Sequence, residues 1–170
     1  EQTWQITADK DATTSGAQTG TKKDAKVGKD DKVQLIAGEN LTVNQNERDF
    51  TYSLNKDLVK MNSATFEATG GRTTVIKGDS IVQTDGTKVN TSTAGGNTVA
   101  DGTKSTETTA DGQVIKDGAK TNTSTVDENT LVDGAKSNKT TVDSNVIDDG
   151  NGNVNTSNAT SNTITDGTNT

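Results

Sequence analysis

The sequence predicts an all-β, fibrous chain made of short strands and tight turns. Asp-Gly pairs recur every sixteen residues in the second half, aliphatic residues recur at fixed places between them, and all aromatic residues precede the repeats. One additional residue near Asn151 delays the last pair. A unit this short cannot bury an apolar surface alone, so neighbouring units must stack. The glycines of the pairs are Gly86, Gly102, Gly118, Gly134, Gly150 and Gly167.

Two aliphatic columns define each repeat, whose places are counted from Thr87. Alternation with a Ser/Thr column at place six predicts a strand over places four to eight, with places eight and thirteen facing inward. Asn, Asp and Gly between the two columns, and the Asp-Gly pair itself, predict two turns. Two strands and two turns in sixteen residues suit one coil of a β-solenoid or β-roll. The expected repeat core is Val99, Ile115, Val126, Leu131, Val142, Ile147 and Ile164.

One such coil is weak by itself. Two buried aliphatic side chains do not offset the conformational entropy lost by ordering sixteen residues. Burial against other chains is therefore expected, and the sequence predicts an oligomer. Lys at place two and Asp at place fifteen predict a solvated corner of alternating charge, with weak ion pairs.

Composition excludes several classes of protein. With 26% hydrophobic and 2% aromatic residues and a net charge of -7, the chain cannot build an ordinary globular core. Disorder fits this composition, but ordered aliphatic columns argue against it. The absence of Cys and His excludes thiol catalysis and Cys/His zinc sites. The acidic balance predicts no nucleic-acid partner, and no apolar run approaches transmembrane length. We expect a segment of a longer protein, because the chain starts and stops within its pattern and its first residues do not resemble a signal peptide.

The first sixty residues predict a separate β module. Trp4, Ile6 and Ala8 alternate with polar residues, as do residues 41–43 and 50–54, and residues 33–37 form a further apolar strand. The predicted organisation is a β module over residues 1–60, a transition segment over 61–86, and repeats over 87–170.

Residues 32–58, KVQLIAGENLTVNQNERDFTYSLNKDL, resemble the Trp-ring module of trimeric autotransporter adhesins, which are surface fibres of Gram-negative bacteria. The matching pattern is Ala-Gly-x-Asn-Leu-x-Val-x-Gln, a turn, and Phe-Thr-Tyr-x-Leu, with Trp4 upstream in a Thr-Trp-x-Ile context. One departure is Glu47-Arg48-Asp49, where the family more often has Gly. The resemblance implies a parallel homotrimer whose strands interleave in a β-prism. The implied trimer core is Trp4, Ile6, Leu41, Val43, Phe50, Tyr52 and Leu54. For the repeats, a β-roll and a β-prism both stay open.

Candidate chemical sites are weak. Residues 148–153 resemble the start of a calcium loop but lack a closing glutamate. Paired carboxylates lie in predicted turns without an apolar wall to raise their pKa, and no phosphate-binding motif follows a strand. We therefore expect no enzyme activity, no metal site and no cofactor. The threonines at place seven suit a water-ordering face and leave an ice-binding solenoid as an alternative: Thr93, Thr109, Thr125 and Thr141.

The resemblance implies an extracellular segment of a bacterial adhesin, anchored in the outer membrane through a part absent here, with a role in virulence. Its expected partners are copies of itself and host-cell or matrix molecules, or neighbouring bacterial adhesins, with no membrane contact by this segment. A purely structural stalk is the alternative within the same fibre. The sequence singles out no receptor-binding residue.

Overall fold

A computed structural model describes residues 2–167, which are all-β and contain no helix. The chain divides into two compact units between Lys60 and Met61. Every strand pairing in the described residues is antiparallel. The last three residues of the predicted repeat region, 168–170, lie outside the described part, as does residue 1 of the predicted β module.

The first unit contains two separate strand pairs. Strand β1 (Trp4–Ile6) pairs with β2 (Ala25–Val27), and β3 (Leu41–Asn46) pairs with β4 (Asp49–Leu54). The second pair is a hairpin with a two-residue turn, in which Glu47 has a φ of 54°.

Two details of the predicted module are wrong. The apolar stretch 33–37 forms no strand, and Ala8 lies beyond the end of β1. High β-propensity alone does not make a strand, because the backbone also needs a partner to pair with. Strand β3 continues to Asn46, so the turn of the hairpin consists of Glu47 and Arg48.

Asn40 fixes the chain just before the hairpin. Its φ of 67° lies in the left-handed region that Asn tolerates better than most residues. Its side-chain Oδ1 accepts a hydrogen bond from the Val59 backbone N–H at 2.8 Å, and its Nδ2 donates to the Val59 carbonyl at 3.0 Å. The Asn55 N–H donates to the Asn40 carbonyl at 2.8 Å. The asparagine of the Ala-Gly-x-Asn-Leu pattern therefore holds the segment after β4 against the start of β3.

The second unit is a single antiparallel sheet of thirteen strands, in which each strand pairs with its neighbours in sequence. Residues 61–86, interpreted from sequence as a transition segment, continue this ladder without a break. The strands are β5 (Ser63–Ala68), β6 (Arg72–Lys77), β7 (Ser80–Asp85), β8 (Lys88–Thr93), β9 (Gly96–Asp101), β10 (Lys104–Thr109), β11 (Gly112–Asp117), β12 (Lys120–Ser124), β13 (Glu128–Asp133), β14 (Lys136–Thr141), β15 (Ser144–Asp148), β16 (Val154–Asn158) and β17 (Asn162–Thr165).

Each sixteen-residue repeat is one β-hairpin. In the second repeat, residues 103–118, strands occupy places two to seven and ten to fifteen, and two-residue turns connect them. Strands β12 and β15 are one residue shorter. Strands next to each other in sequence pair directly, whereas stacked solenoid coils would pair strands one repeat apart. The prediction that place eight lies on the inward side of a strand is wrong. Val126 and Val142 lie in turns and are 99% and 98% exposed.

The Asp-Gly turns follow from the conformation that tight hairpins require. Gly102, at the first turn position, has a φ of 61°, and Gly86, Gly118 and Gly134 lie within two degrees of it. A glycine with positive φ at the first central position is typical of a type II′ turn, whose twist matches that of the flanking strands. The predicted turns at Asp-Gly are therefore confirmed, with the Asp closing the preceding strand.

The opposite edge of the sheet uses threonine to close its turns. The Thr141 Oγ1 accepts hydrogen bonds from the backbone N–H groups of Asp143 and Ser144 at 3.2 and 3.1 Å. At their own turns, Thr93 and Thr125 each accept two such hydrogen bonds, and Thr109 accepts one from the Asp111 N–H. Such local side-chain bonds compete with strand continuation and favour turns. Hydroxyls expected to form a water-ordering array are therefore engaged by the backbone.

The inserted residue enlarges one Asp-Gly turn into a five-residue loop between β15 and β16. The Asp149 carboxylate accepts hydrogen bonds from the backbone N–H groups of Asn151 and Asn153 at 2.8 and 3.1 Å, and from the Asn153 side chain. The Asn153 side chain, followed by the Asn151 N–H, lowers the pKa of this carboxyl below its ordinary value. In the segment that resembles a calcium loop, the Asp149 carboxylate thus accepts its hydrogen bonds from groups of the same segment.

Candidate functional site: the aliphatic face of the long sheet

The register of the long sheet divides its residues between two faces, because paired residues in an antiparallel ladder point to the same side. Ile115 pairs with Asn122, which pairs with Leu131. We call the side that carries these residues the aliphatic face. Its central row, from β5 to β17, is Phe66, Thr74, Gln83, Asn90, Val99, Thr106, Ile115, Asn122, Leu131, Asn138, Ile147, Asn155 and Ile164.

The central row leaves its large apolar side chains uncovered. The five aliphatic members from β9 to β17 are between 44% and 64% exposed, and Leu131 is 51% exposed. A groove of about 880 Å³ follows the row from β9 to β15. A second groove of about 430 Å³ follows it from β5 to β9. Large exposed apolar side chains that recur along such a groove are typical of an interaction site.

A row of alternating charge borders the groove at the Asp-Gly edge. Successive strands place a basic and then an acidic residue on the aliphatic face: Arg72, Asp85, Lys88, Asp101, Lys104, Asp117, Lys120, Asp133 and Lys136. Arg72 bonds Asp85 at 3.0 Å, and Lys120 lies 3.6 Å from Asp133. These pairs are largely exposed, so each contributes little to stability. Their order confirms the predicted alternation of charge along this corner.

An amide and hydroxyl row borders the other side of the apolar strip. Gln113 donates to the Thr108 hydroxyl at 3.3 Å, and Asn145 donates to that of Thr140 at 2.9 Å. From β8 to β17 the row is Ser92, Asn97, Thr108, Gln113, Ser124, Asn129, Thr140, Asn145, Ser157 and Asn162. The Asn column that sequence reasoning assigned to a corner therefore lies within strands.

Asparagine separates the aliphatic residues of the central row in most repeats. Asn122 lies between Ile115 and Leu131 on the neighbouring strands. The Oδ1 atoms of Asn122 and Asn90 are shielded from solvent and accept no hydrogen bond from the described residues. A buried amide oxygen without a donor is unfavourable. The single chain thus leaves polar groups unsatisfied on the face where its apolar groups are uncovered.

The structure brings five predicted core residues of the repeats onto the aliphatic face and excludes two. Val99, Ile115, Leu131, Ile147 and Ile164 share the central row, whereas Val126 and Val142 lie in turns. Sequence reasoning missed Phe66, Ile76 and Ile81, which lie on the same face and are exposed. The alternation of apolar and polar residues in β5 is the signal that could have identified Phe66.

The first unit also has apolar faces. The hairpin registers place Leu41, Val43, Phe50, Tyr52 and Leu54 on one side. Four of them are large side chains that lie exposed, as does Trp4 at 54%.

In the other pair, Trp4 lies opposite Val27, and Ile6 lies opposite Ala25. Val27 is 7% exposed and is the one buried apolar side chain among the described residues. All seven predicted trimer-core residues thus lie on the apolar sides of their own strand pairs.

We call the opposite side of the long sheet the threonine face, and its residues are less varied in type than those of the aliphatic face. Its middle row alternates short stretches of Thr and Val with single charges such as Glu107 and Lys139. Lys139 pairs with Glu128 at 2.6 Å. Ser, Thr, Val and Ala dominate, and these small or β-branched residues suit an exposed sheet surface.

Other classes of site find little support in the described residues. Residues 2–167 hold no grouping of three His, Cys, Asp or Glu side chains that could bind a metal ion. None of their segments forms a helix of the length and hydrophobicity needed to cross a membrane.

Comparisons of the chain with family models, with curated proteins and with solved structures gave no match. The aliphatic face is therefore the feature from which a function can be inferred.

Proposed function

We propose that this chain is a segment of a homotrimeric bacterial surface adhesin, and that the long sheet is one wall of its fibre. The observation that carries the proposal is the central row of the aliphatic face, which runs across all thirteen strands and holds six large, exposed apolar side chains. Three copies that turn these faces towards a common axis would bury the row and leave the threonine faces outside.

The size of the face suits such an assembly. Strands of six residues at about 3.4 Å per residue, spaced about 4.8 Å apart, give a wall of roughly 20 by 58 Å. That is roughly 1,200 Å² per copy, which exceeds the roughly 800 Å² per partner of a standard stable interface. Closing three walls into a prism also explains how a sheet without a core of its own stays folded.

The first unit supports the same assembly. Trp4 and four large side chains of the β3–β4 hairpin lie exposed, as a module completed by other copies requires. The resemblance of residues 32–58 to the Trp-ring module adds the expectation of a parallel arrangement. Within this reading the protein is extracellular, is not an enzyme, and binds host cells, matrix or neighbouring bacteria through repeated outer faces. Weak contacts repeated along a fibre give avidity.

A purely structural stalk is the second candidate, favoured by the regular repetition of small polar residues on the threonine face. Binding of the intact chain to immobilised matrix proteins and to epithelial cells separates the two functions. A saturable signal that the assembly-deficient variant Leu131→Asp loses supports adhesion. A trimer that binds none of these surfaces supports the stalk. The ice-binding alternative is disfavoured, because backbone N–H groups already bond the place-seven hydroxyls.

A further inference from the structure

We infer that the asparagines of the central row set the axial register between copies in the assembled fibre. This inference rests on the proposed homotrimer. Asn90, Asn122, Asn138 and Asn155 each occupy an even-numbered strand, and aliphatic residues occupy the odd-numbered strands between them. From β11 to β17, the aliphatic face therefore presents apolar and amide levels in turn along the fibre axis, about 4.8 Å apart; on β10, Thr106 takes the polar place.

Three copies in register would place identical residues of the central row at the same level along the axis. Each apolar level would hold three aliphatic side chains, and each amide level would hold three asparagines. An asparagine has both a donor and an acceptor, so three of them around an axis can form a closed ring in which each Nδ2 donates to the next Oδ1. Rotation about the Cα–Cβ bond turns the amide of Asn122 out of its row and into such a ring.

A slip of one strand would be unfavourable for the same reason. It would bring Asn90 and Asn122 of one copy against aliphatic residues of the next, and their Oδ1 atoms would stay without a donor. Asn138 and Asn155 contribute less to this penalty, because their Oδ1 atoms already accept hydrogen bonds from Asn145 and Ser157 of the same chain. Residues 2–167 of a single chain supply no donor to the Oδ1 atoms of Asn90 and Asn122. A single buried asparagine is known to fix register in coiled coils, and the same physics applies to a stacked sheet.

The test compares Asn90→Leu/Asn122→Leu with a control that makes similar polar-to-apolar changes on the other face. The control is Thr91→Val/Thr123→Val, because these residues lie on the same two strands and belong to the threonine face. The chain has no Cys, so Val126→Cys provides one spin-label site in each background. This turn residue is 99% exposed. Distances between labels are measured by pulsed electron spin resonance, and oligomeric mass is measured by light scattering.

In the unsubstituted background we expect one narrow distance, and the same distance in the threonine control. The asparagine variant should keep its trimeric mass and its thermal stability but add longer distances from slipped copies. A single unchanged distance in that variant would overturn the inference, as would its dissociation into single chains. A trimeric mass with a broad distance distribution in the unsubstituted background would also contradict the inference. Absence of a trimer in that background would instead refute the proposed function.

Discussion

Replacement of Leu131 by alanine tests whether the aliphatic face is buried in solution. Leu131 is 51% exposed in the single chain, and full burial of a leucine contributes roughly 1.5–3 kcal/mol. If the chain is monomeric, Leu131→Ala removes a side chain that is only half buried and should lower the free energy of unfolding by about 1 kcal/mol. If three copies cover the face, the change leaves a cavity in a packed core and should cost about 2–5 kcal/mol per chain.

The matched control is Val126→Ala in the same repeat. This residue is aliphatic but 99% exposed in a turn, so its replacement should change the free energy of unfolding by less than about 0.5 kcal/mol. The assay is urea unfolding followed by circular dichroism at several protein concentrations. Assembly predicts a midpoint that rises with concentration and a shift for Leu131→Ala alone. Equal small shifts for both variants, with a midpoint independent of concentration, would refute the reasoning.

Three further predictions concern the turns. Thr141→Val removes the acceptor for two turn N–H groups and should lower the free energy of unfolding by about 1 kcal/mol; no change in the urea midpoint would contradict this role. Gly118→Ala places a side chain at a φ of 59° and should cost about 1–2 kcal/mol, whereas Gly78→Ala, where φ is not positive and the space is open, should leave the melting temperature nearly unchanged. Hydrogen bonds from Asn153 lower the pKa of the Asp149 carboxyl in the folded chain. The ionised carboxylate therefore stabilises the fold above the unfolded pKa, and this stabilisation is lost as pH falls below about 4 towards the folded pKa. Asp149→Asn should reduce the acid sensitivity of the melting temperature in this range, and an unchanged pH profile would argue against it.

The all-β class, the period and the Asp-Gly turns could be predicted because each has a local cause. Gly118 is required where φ is positive, and the alternation of Leu131 with its polar neighbours marks one face of a strand. Local chemistry of this kind acts within a few residues and is visible in one sequence.

The position of Val126 could not be predicted from its column. A β-branched aliphatic residue favours strands, and alanine in the equivalent places gives no contrary signal. The decisive influence is Thr125, whose hydroxyl accepts the N–H groups of Asp127 and Glu128 and so forms the turn. Two strands and two turns also describe both a solenoid coil and a hairpin. The stronger signal was the Asp-Gly pair between alternating residues, which favours a hairpin.

The stretch 33–37 shows a different limit. Its residues favour a strand, yet in the single chain no neighbouring strand pairs with them. Pairing depends on the rest of the chain, and on other copies where the sheet is completed by assembly. Propensity cannot supply that information, so the conformation of this segment could not be derived from residue types alone.

The central claim is that the aliphatic face is covered by two further copies of the same chain. Light scattering coupled to size-exclusion chromatography measures this directly, on the chain alone and with its ends fused to a trimeric coiled coil. We predict a mass of three times the 17.6 kDa chain in both forms, after subtraction of the fused segments. A folded monomer with the same β spectrum would contradict the account, because the uncovered row would then be a stable surface of a single chain.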